Sequence, residues 1–252
     1  MQRILLLAIV LIATSMPAGA HGQSPISAEI APSGKLRVAM NANTVVLLKR
    51  TSDGKITGGV GVELGKFIAG KFGYDFELVA YPDSNAYTQS FGKGEWDIGF
   101  GTQTPLVAEK AEFVLDVLLT DYMFVAAPGR EFADAAQVDR PGVKIGVGLN
   151  SSSDQFLSRT LKSAELVRLT GGRSTEALSG SQADVWAASA SNIQQVAGRV
   201  PGAKIVPGAF TSDRTMVILP KGRSSAAQAT LPEIVNEAKK PAWCRRPSNS
   251  QA

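Results

Sequence analysis

The chain has 252 residues, 44% of them hydrophobic and 19% charged, with a formal net charge of +4. This is the composition of an ordinary globular protein with ample apolar material for a core, divided into one large or two small domains. No dense basic run precedes Arg245-Arg246, so the charge footprint of a nucleic-acid-binding protein is missing.

Arg3 precedes an apolar run, Ile4 to Ala13, followed by Pro17 and the small residues Ala18-Gly19-Ala20. A charged start, a short apolar segment and a small-residue cleavage site predict a secretory signal peptide over residues 1–20, removed on export. The run is about half the ~20 apolar residues of a membrane span. No cysteine follows it, which argues against a lipid-anchored mature end.

Short β-branched runs then alternate with amphipathic stretches, the pattern of an α/β protein. Lys35-Leu-Arg-Val-Ala-Met40 reads as the first strand. Leu64, Phe67, Ile68 and Phe72 fall at helical spacing, with Gly73 as the stop. Phe76 to Ala80 reads as a strand, Ala86 to Phe91 as a short helix, and Asp97 to Gly101 as a third strand. That strand delivers the turn Thr102-Gln-Thr104-Pro105. Glu109, Lys110 and Glu112 then read as a solvated helical face.

A second cycle starts after Pro128. Strands are predicted at Val143 to Val147, Glu165 to Leu169, Asp184 to Ala188, Lys204 to Val206 and Met216 to Leu219. Helical stretches fall at Asp154 to Leu161, Ser174 to Leu178 and Ile193 to Val200, and a closing helix over Ala226 to Lys239 is interrupted near Pro232. The two cycles echo each other: Gly92-Lys-Gly-Glu-Trp-Asp97 and Gly180-Ser-Gln-Ala-Asp184 each lead into a strand. Either two common turn-to-strand junctions coincide, or two similar α/β lobes face each other across a cleft, where ligands bind.

Cys244 is the single cysteine and His21 the single histidine. No intrachain disulfide, thiolate cluster or histidine-bound metal is expected, and a Ser-His-Asp or Cys-His centre lacks its base. No cofactor is implied.

Lys35-Leu-Arg-Val-Ala, "GVGVELGKFIAGKFG" (59–73), "GEWDIGFG" (94–101) and "VKIGVGLNSSSDQFL" (143–157) resemble, in order and spacing, bacterial extracellular solute-binding proteins of family 3. The resemblance runs from about Gly34 to Lys239. It implies a two-lobe periplasmic-binding-protein fold of type 2, with the ligand cleft between lobes and closure by a hinge motion. Lobe 1 would comprise residues 21–125 and 214–240, lobe 2 residues 126–213, with crossings near Asp121 to Pro128 and Pro207 to Thr215. The implied protein is a periplasmic monomer that hands a small solute to the permease of an ABC importer and is not an enzyme. The same fold also hosts dehydratase-like enzymes, for which Asp121 is the evident general acid, and sensors that signal without transport.

Three departures from that family's pattern bear on the ligand. Amino-acid-binding members carry an arginine after the threonine turn that forks onto the α-carboxylate; the matching position here is Val107, which offers no such bond. Their aspartate for the α-ammonium is matched by Ser189, with Asp184 reading as a structural residue where the strand starts. Their Phe-Ser-x-Pro-Tyr stretch is replaced by Phe113-Val-Leu-Asp-Val117. A polar solute other than a standard α-amino acid is therefore expected.

The remaining candidates are mostly neutral. Asn41 and Asn43 follow the first strand, and Thr102 and Thr104 follow the third. Asn150, Ser151, Ser152 and Ser153 open a helix of the second cycle, with Ser152 and Gln155 spaced as a capping box; free amides there attract an anion or carbonyl oxygen. Ser189 and Ser191 end a strand, as ligand groups or as ordinary loop hydroxyls. Asp121, by the first crossing, either receives a ligand donor, serves the hinge or faces solvent. Arg214, by the second, either replaces the missing cation or lies on the surface. Trp96 and Trp186 read as core, and Tyr81 and Tyr87 as core or as a stacking platform. Beyond Lys239, Pro241 and Pro247 predict a disordered tail over 241–252, unless Trp243 folds back onto lobe 1.

Overall fold

A computed structural model describes residues 25–51 and 53–239. The expected signal peptide, His21, and the tail with Trp243 and Cys244 lie outside the described residues.

The elements in chain order are α1 (Pro25–Ile30), β1 (Lys35–Asn41), β2 (Lys49–Arg50), β3 (Ile56–Gly58), α2 (Val60–Phe72), β4 (Asp75–Tyr81), α3 (Ser84–Gln89), β5 (Ile98–Thr102), α4 (Pro105–Lys110) and β6 (Ala111–Ala126). They continue, after a 3-10 turn at Ala135–Val138, with β7 (Lys144–Gly148), α5 (Ser152–Thr160), β8 (Glu165–Leu169), α6 (Ser174–Ser179), β9 (Val185–Ser189), α7 (Ala190–Arg199), β10 (Lys204–Ile205), β11 (Thr211–Pro220) and α8 (Ser225–Ala238). Nine strands form one sheet in the order β4-β1-β5-β11-β6-β9-β7-β8, with β10 also paired to β6. The outer ladders, β4-β1-β5 and β9-β7-β8, are parallel, and the central ones through β11 and β6 are antiparallel.

Strand periodicity divides the core. Side chains alternate across a strand, so each half of the sheet feeds two apolar clusters, one per face. In the first half Leu36, Val38, Met40, Val217 and Leu219 pack with Ile68, Leu231 and Val235 on one face. Ala39 and Ile218 pack with Tyr87, Phe91, Trp96 and Val107 on the other. In the second half Phe124, Ile145, Val147 and Leu157 form one cluster, and Val125, Trp186, Ile193 and Val196 the other. Trp96 and Trp186 are thus core residues, and the Trp96 indole N–H donates to Ser90 Oγ at 2.9 Å.

The two halves meet in β6. This strand pairs with β11 from Ala111 to Tyr122 and with β9 from Tyr122 to Ala126, so Tyr122 has Thr211 on one side and Ser189 on the other. The ladder with β11 carries register shifts between Thr215 and Met216 and between Val217 and Ile218. Glu112, expected on a solvated helical face, lies instead in β6 opposite Leu219 and is half-buried; α4 ends at Lys110 and is capped by Ala111, where β6 begins. The strand expected at Met216 to Leu219 runs from Thr211 to Pro220 because β6 pairs along all of it.

Two helices also differ from expectation. α8 is not interrupted: it runs through Pro232 because Ala227, Leu231, Val235 and Ala238, spaced to lie on one face, are buried on both sides of the proline. α5 is capped by Ser151, not Ser152. Its Oγ accepts the Asp154 amide at 3.1 Å, since Asn150 at φ 60 turns the chain one residue sooner. α2 ends as expected, on Gly73 in the left-handed conformation that glycine adopts without strain.

Candidate ligand-binding cleft

A cavity of about 210 Å³ lies where the carboxyl ends of β1, β5, β7 and β9 converge. Open α/β sheets bind ligands at such strand ends. Asn41 closes β1, Thr102 closes β5, Gly148 closes β7 and Ser189 closes β9, and all four line the cavity. Asn43, Thr104, Asn150, Ser151, Ser152 and Ser153 line it as well. Nine of the eleven Asn, Thr, Ser and Asp candidates named from sequence are therefore brought together; Ser191 is not among the lining residues, its hydroxyl lying 3.4 Å from Ser189 Oγ. Nor is Asp121: it is exposed in β6, where its carboxylate accepts the Ser212 hydroxyl at 2.5 Å. The acid on which a dehydratase reading relied thus stands outside the cavity. Arg214 also faces away, paired with Asp116.

Several of these polar groups are already engaged. The Asn41 carboxamide donates to Ser84 Oγ at 2.8 Å and accepts the Asn43 amide at 3.0 Å, and Asn43 donates to the Pro82 carbonyl at 2.9 Å. Thr104 caps α4, its Oγ1 accepting the Val107 amide at 3.4 Å. A threonine that accepts through one lone pair retains its O–H as a donor for a ligand. Val107 itself is buried in the apolar cluster with Tyr87 and Ile218, so a valine, not a cation, fills the place behind the threonine turn.

Sequence reading missed the floor of the cleft. Tyr122, placed by β6 at the change of pairing partner, lies 3.2 Å through its hydroxyl from Thr102 Oγ1. Burial pushes its phenol up, partly offset by bonds with Ser152 and Thr102, so at any ordinary pH it presents a neutral hydroxyl to the cavity. Tyr87, held to be core or a stacking platform, is both buried and cavity-lining; it lies 5.6 Å from Tyr81, ring centre to ring centre. Thr120, Thr215, Ser84 and Gln155 also line the cavity. Ser84 opens α3 and Gln155, named above only for its capping-box spacing, lies in the first turn of α5, whereas Thr120 and Thr215 lie within β6 and β11 and had no positional signal.

Among the described residues two charged ones line the cavity. Asp83 caps α3, Oδ1 accepting the Ala86 amide at 2.8 Å, and Arg199 stands exposed at the far end of α7. Asp154, buried beneath the start of α5, is spent on Arg168, Ser158 and the Asn150 amide. Among the described residues no group of acidic, histidine or cysteine side chains has the spacing of a metal site.

No protein-family model matches the chain, and no curated protein sequence matches it. Solved structures do. Holo ArgBP from T. maritima matches with a TM-score of 0.73 at 18% identity, over 86% of this chain and 96% of that one. A solute receptor for L-cysteine of Neisseria gonorrhoeae matches at 0.72 and 18%, over 85% and 88%. The ancestral amino acid-binding protein AncCDT-1, described as a precursor of cyclohexadienyl dehydratase, matches at 0.71 and 18%, over 86% and 94%. The chain has the two-lobe periplasmic-binding-protein fold, an α/β fold with one large central sheet.

Proposed function

We propose that this chain is an exported solute-binding protein that encloses a small polar solute and passes it to the permease of an ABC transporter. Support comes from the fold, from solved neighbours that include binding proteins for arginine and cysteine, and from the cavity at the strand ends. In this reading lobe 1 comprises residues 21–125 and 214–240, lobe 2 comprises 126–213, and the protein acts as a periplasmic monomer.

The observation that carries the ligand class is Val107 behind the threonine turn, with hydroxyls and carboxamides around it. An α-carboxylate there would find amides and hydroxyls but no guanidinium, and an α-ammonium would meet Ser189 in place of a carboxylate. The site suits a solute without that pair of charges. Asn41, Asn43, Thr102, Thr104, Asn150, Ser151, Ser152, Ser153 and Ser189 are its proposed contacts, joined by Tyr122. Several neutral hydrogen bonds with some apolar burial suffice for micromolar affinity, about −8 kcal/mol.

A thermal-shift screen of the mature protein against a broad solute library, followed by calorimetry, tests this. A ligand at 100 times its dissociation constant adds about 2.7 kcal/mol to folding stability. Neutral polar solutes should score, and L-glutamine or L-arginine should not bind at micromolar concentration. Tight binding of either amino acid would overturn the ligand class, and an empty screen the function.

A further inference from the structure

The two lobes touch directly across the cavity, through bonds the chain makes by itself. Asp83 Oδ2 accepts the Gly171 amide at 2.7 Å. Asn150 Nδ2 donates to Asn85 Oδ1 at 3.0 Å. The Leu106 amide, at the start of α4, donates to Gln155 Oε1 on α5 at 3.3 Å. At a fourth point Gly172 rests on Asn43, so closely that a Cβ on the glycine would lie 3.1 Å from Asn43 Nδ2.

The geometry of these contacts follows from local sequence. Asp83 uses Oδ1 to cap α3, which fixes the carboxylate and leaves Oδ2 for the facing loop. A carboxylate accepting a backbone N–H makes a charge-assisted bond, about twice as strong as a neutral one. Asn85 stands two residues further on, in the first turn of the same helix. The facing loop is shaped by Gly171 at φ 71 and Gly172 at φ 68, a run of two left-handed residues that side-chain-bearing amino acids rarely adopt. On its other side Asn150 is locked by its amide on Asp154 and by Gln155 on its carbonyl.

We propose that Asp83 and Asn85 are positioning residues that hold the cleft closed before any ligand is present. The apparent affinity of a binding protein that must close around its solute scales with the fraction of molecules already in the closed form. Direct bonds between the lobes raise that fraction, so the hydroxyls of the cavity are preorganised for the ligand. The cost falls on kinetics, because solute enters only through the minor open form. This effect on affinity rests on the reading of the cleft as a solute site; the closure itself does not.

The test is the distance between the lobes in ligand-free protein. Nitroxide labels are placed at Lys93→Cys and Arg159→Cys, both exposed, in the mature chain carrying Cys244→Ser. Any co-purified solute is removed by unfolding and refolding. Pulsed electron resonance should give one short, narrow distance distribution for this reference protein. Asp83→Ser keeps a good helix cap but is too short to reach Gly171, and Asn85→Ala removes the acceptor for Asn150. Each should move population to longer distances, and the double variant should move most of it, with thermal midpoints showing that all remain folded. A long or broad distribution in the reference protein, or a short one in the double variant, overturns the proposal. Closure without any solute hit would sink the functional reading and leave this one standing. An open reference protein that closes on a solute would do the reverse.

Discussion

Asp184 holds in the second half of the chain the station that Asp97 holds in the first. The Asp97 amide donates to the Arg37 carbonyl and its carboxylate takes the Arg37 amide, both at 2.9 Å. The Asp184 amide donates to the Lys144 carbonyl and its carboxylate takes the Lys144 amide, both at 2.8 Å. Each aspartate fastens its own strand to the neighbouring parallel strand, β1 or β7. They differ in cover. Asp97 is fully buried and holds the Arg37 guanidinium with both oxygens, whereas Asp184 faces an Arg130 side chain that is 60% exposed. Breaking a buried pair costs about 3 kcal/mol or more, while an exposed ion pair with one backbone bond is worth about 1 kcal/mol. Asp97→Ala should therefore lower the unfolding free energy by about three times as much as Asp184→Ala. Urea denaturation measures both, and equal losses would contradict this account.

Pro232 sits eight residues into α8, where it removes the N–H that would bond the Gln228 carbonyl. Its helix survives on the buried stripe of Ala227, Leu231, Val235 and Ala238. Pro232→Ala restores the bond and loses only the proline's restriction of the unfolded chain, which is worth ~0.4–1 kcal/mol. A net gain on the order of 1 kcal/mol is expected, read as a raised thermal midpoint; a lowered one would show that the proline ring itself packs productively.

Three phenols are held above their ordinary value of 10.0. Burial raises Tyr87 and Tyr122, and raises Tyr81 to about 12 with help from its bond to Glu95. The native protein thus grips these protons more tightly than the unfolded chain does. The associated stability is fully present below pH 10 and is lost as the pH rises through about 12. Chemical denaturation across that range should show a falling midpoint, with phenolate absorbance appearing as the protein unfolds. A native-state titration of all the tyrosines near pH 10 would be the contrary result.

Among the described residues no strand pairs with the second edge of β6 over Ala111 to Asp121. Leu119 projects there, 69% exposed. An open apolar edge invites pairing with another chain, and a lysine blunts it. Leu119→Lys should change stability by less than about 0.5 kcal/mol and reduce aggregation on light scattering. A large loss of stability would mean that Leu119 is covered in solution.

The fold was legible in the sequence wherever period and punctuation agreed. Val38 and Met40 alternate into one face of β1, and Leu64 and Ile68 mark the buried face of α2 up to Gly73. The junction of β6 with β11 was not legible as one ladder, because pairing between residues about a hundred positions apart leaves no local trace. Pro232 misled for the converse reason: its local penalty is visible in sequence, while the packing that outweighs it is tertiary. The cleft showed through strand-end residues such as Asn41, Thr102 and Ser189. Tyr122 lay unmarked in an apolar run, and Asp83 lay unmarked before its helix, since its second oxygen matters only when Gly171 is brought opposite.

The pairing of Tyr122 with Thr211 has a consequence for how such a molecule is put together. The chain leaves β6 and returns to β11 at neighbouring rungs, with Cα atoms about 5 Å apart. Everything between them is a cassette whose two ends are already side by side. It can be lengthened, exchanged or excised without pulling on the strands that carry it. The half of the cavity built from Asn150, Ser152 and Ser189 travels with that cassette, and the half built from Asn41 and Thr102 stays behind. New pockets can therefore arise by recombining halves, with no change to either framework.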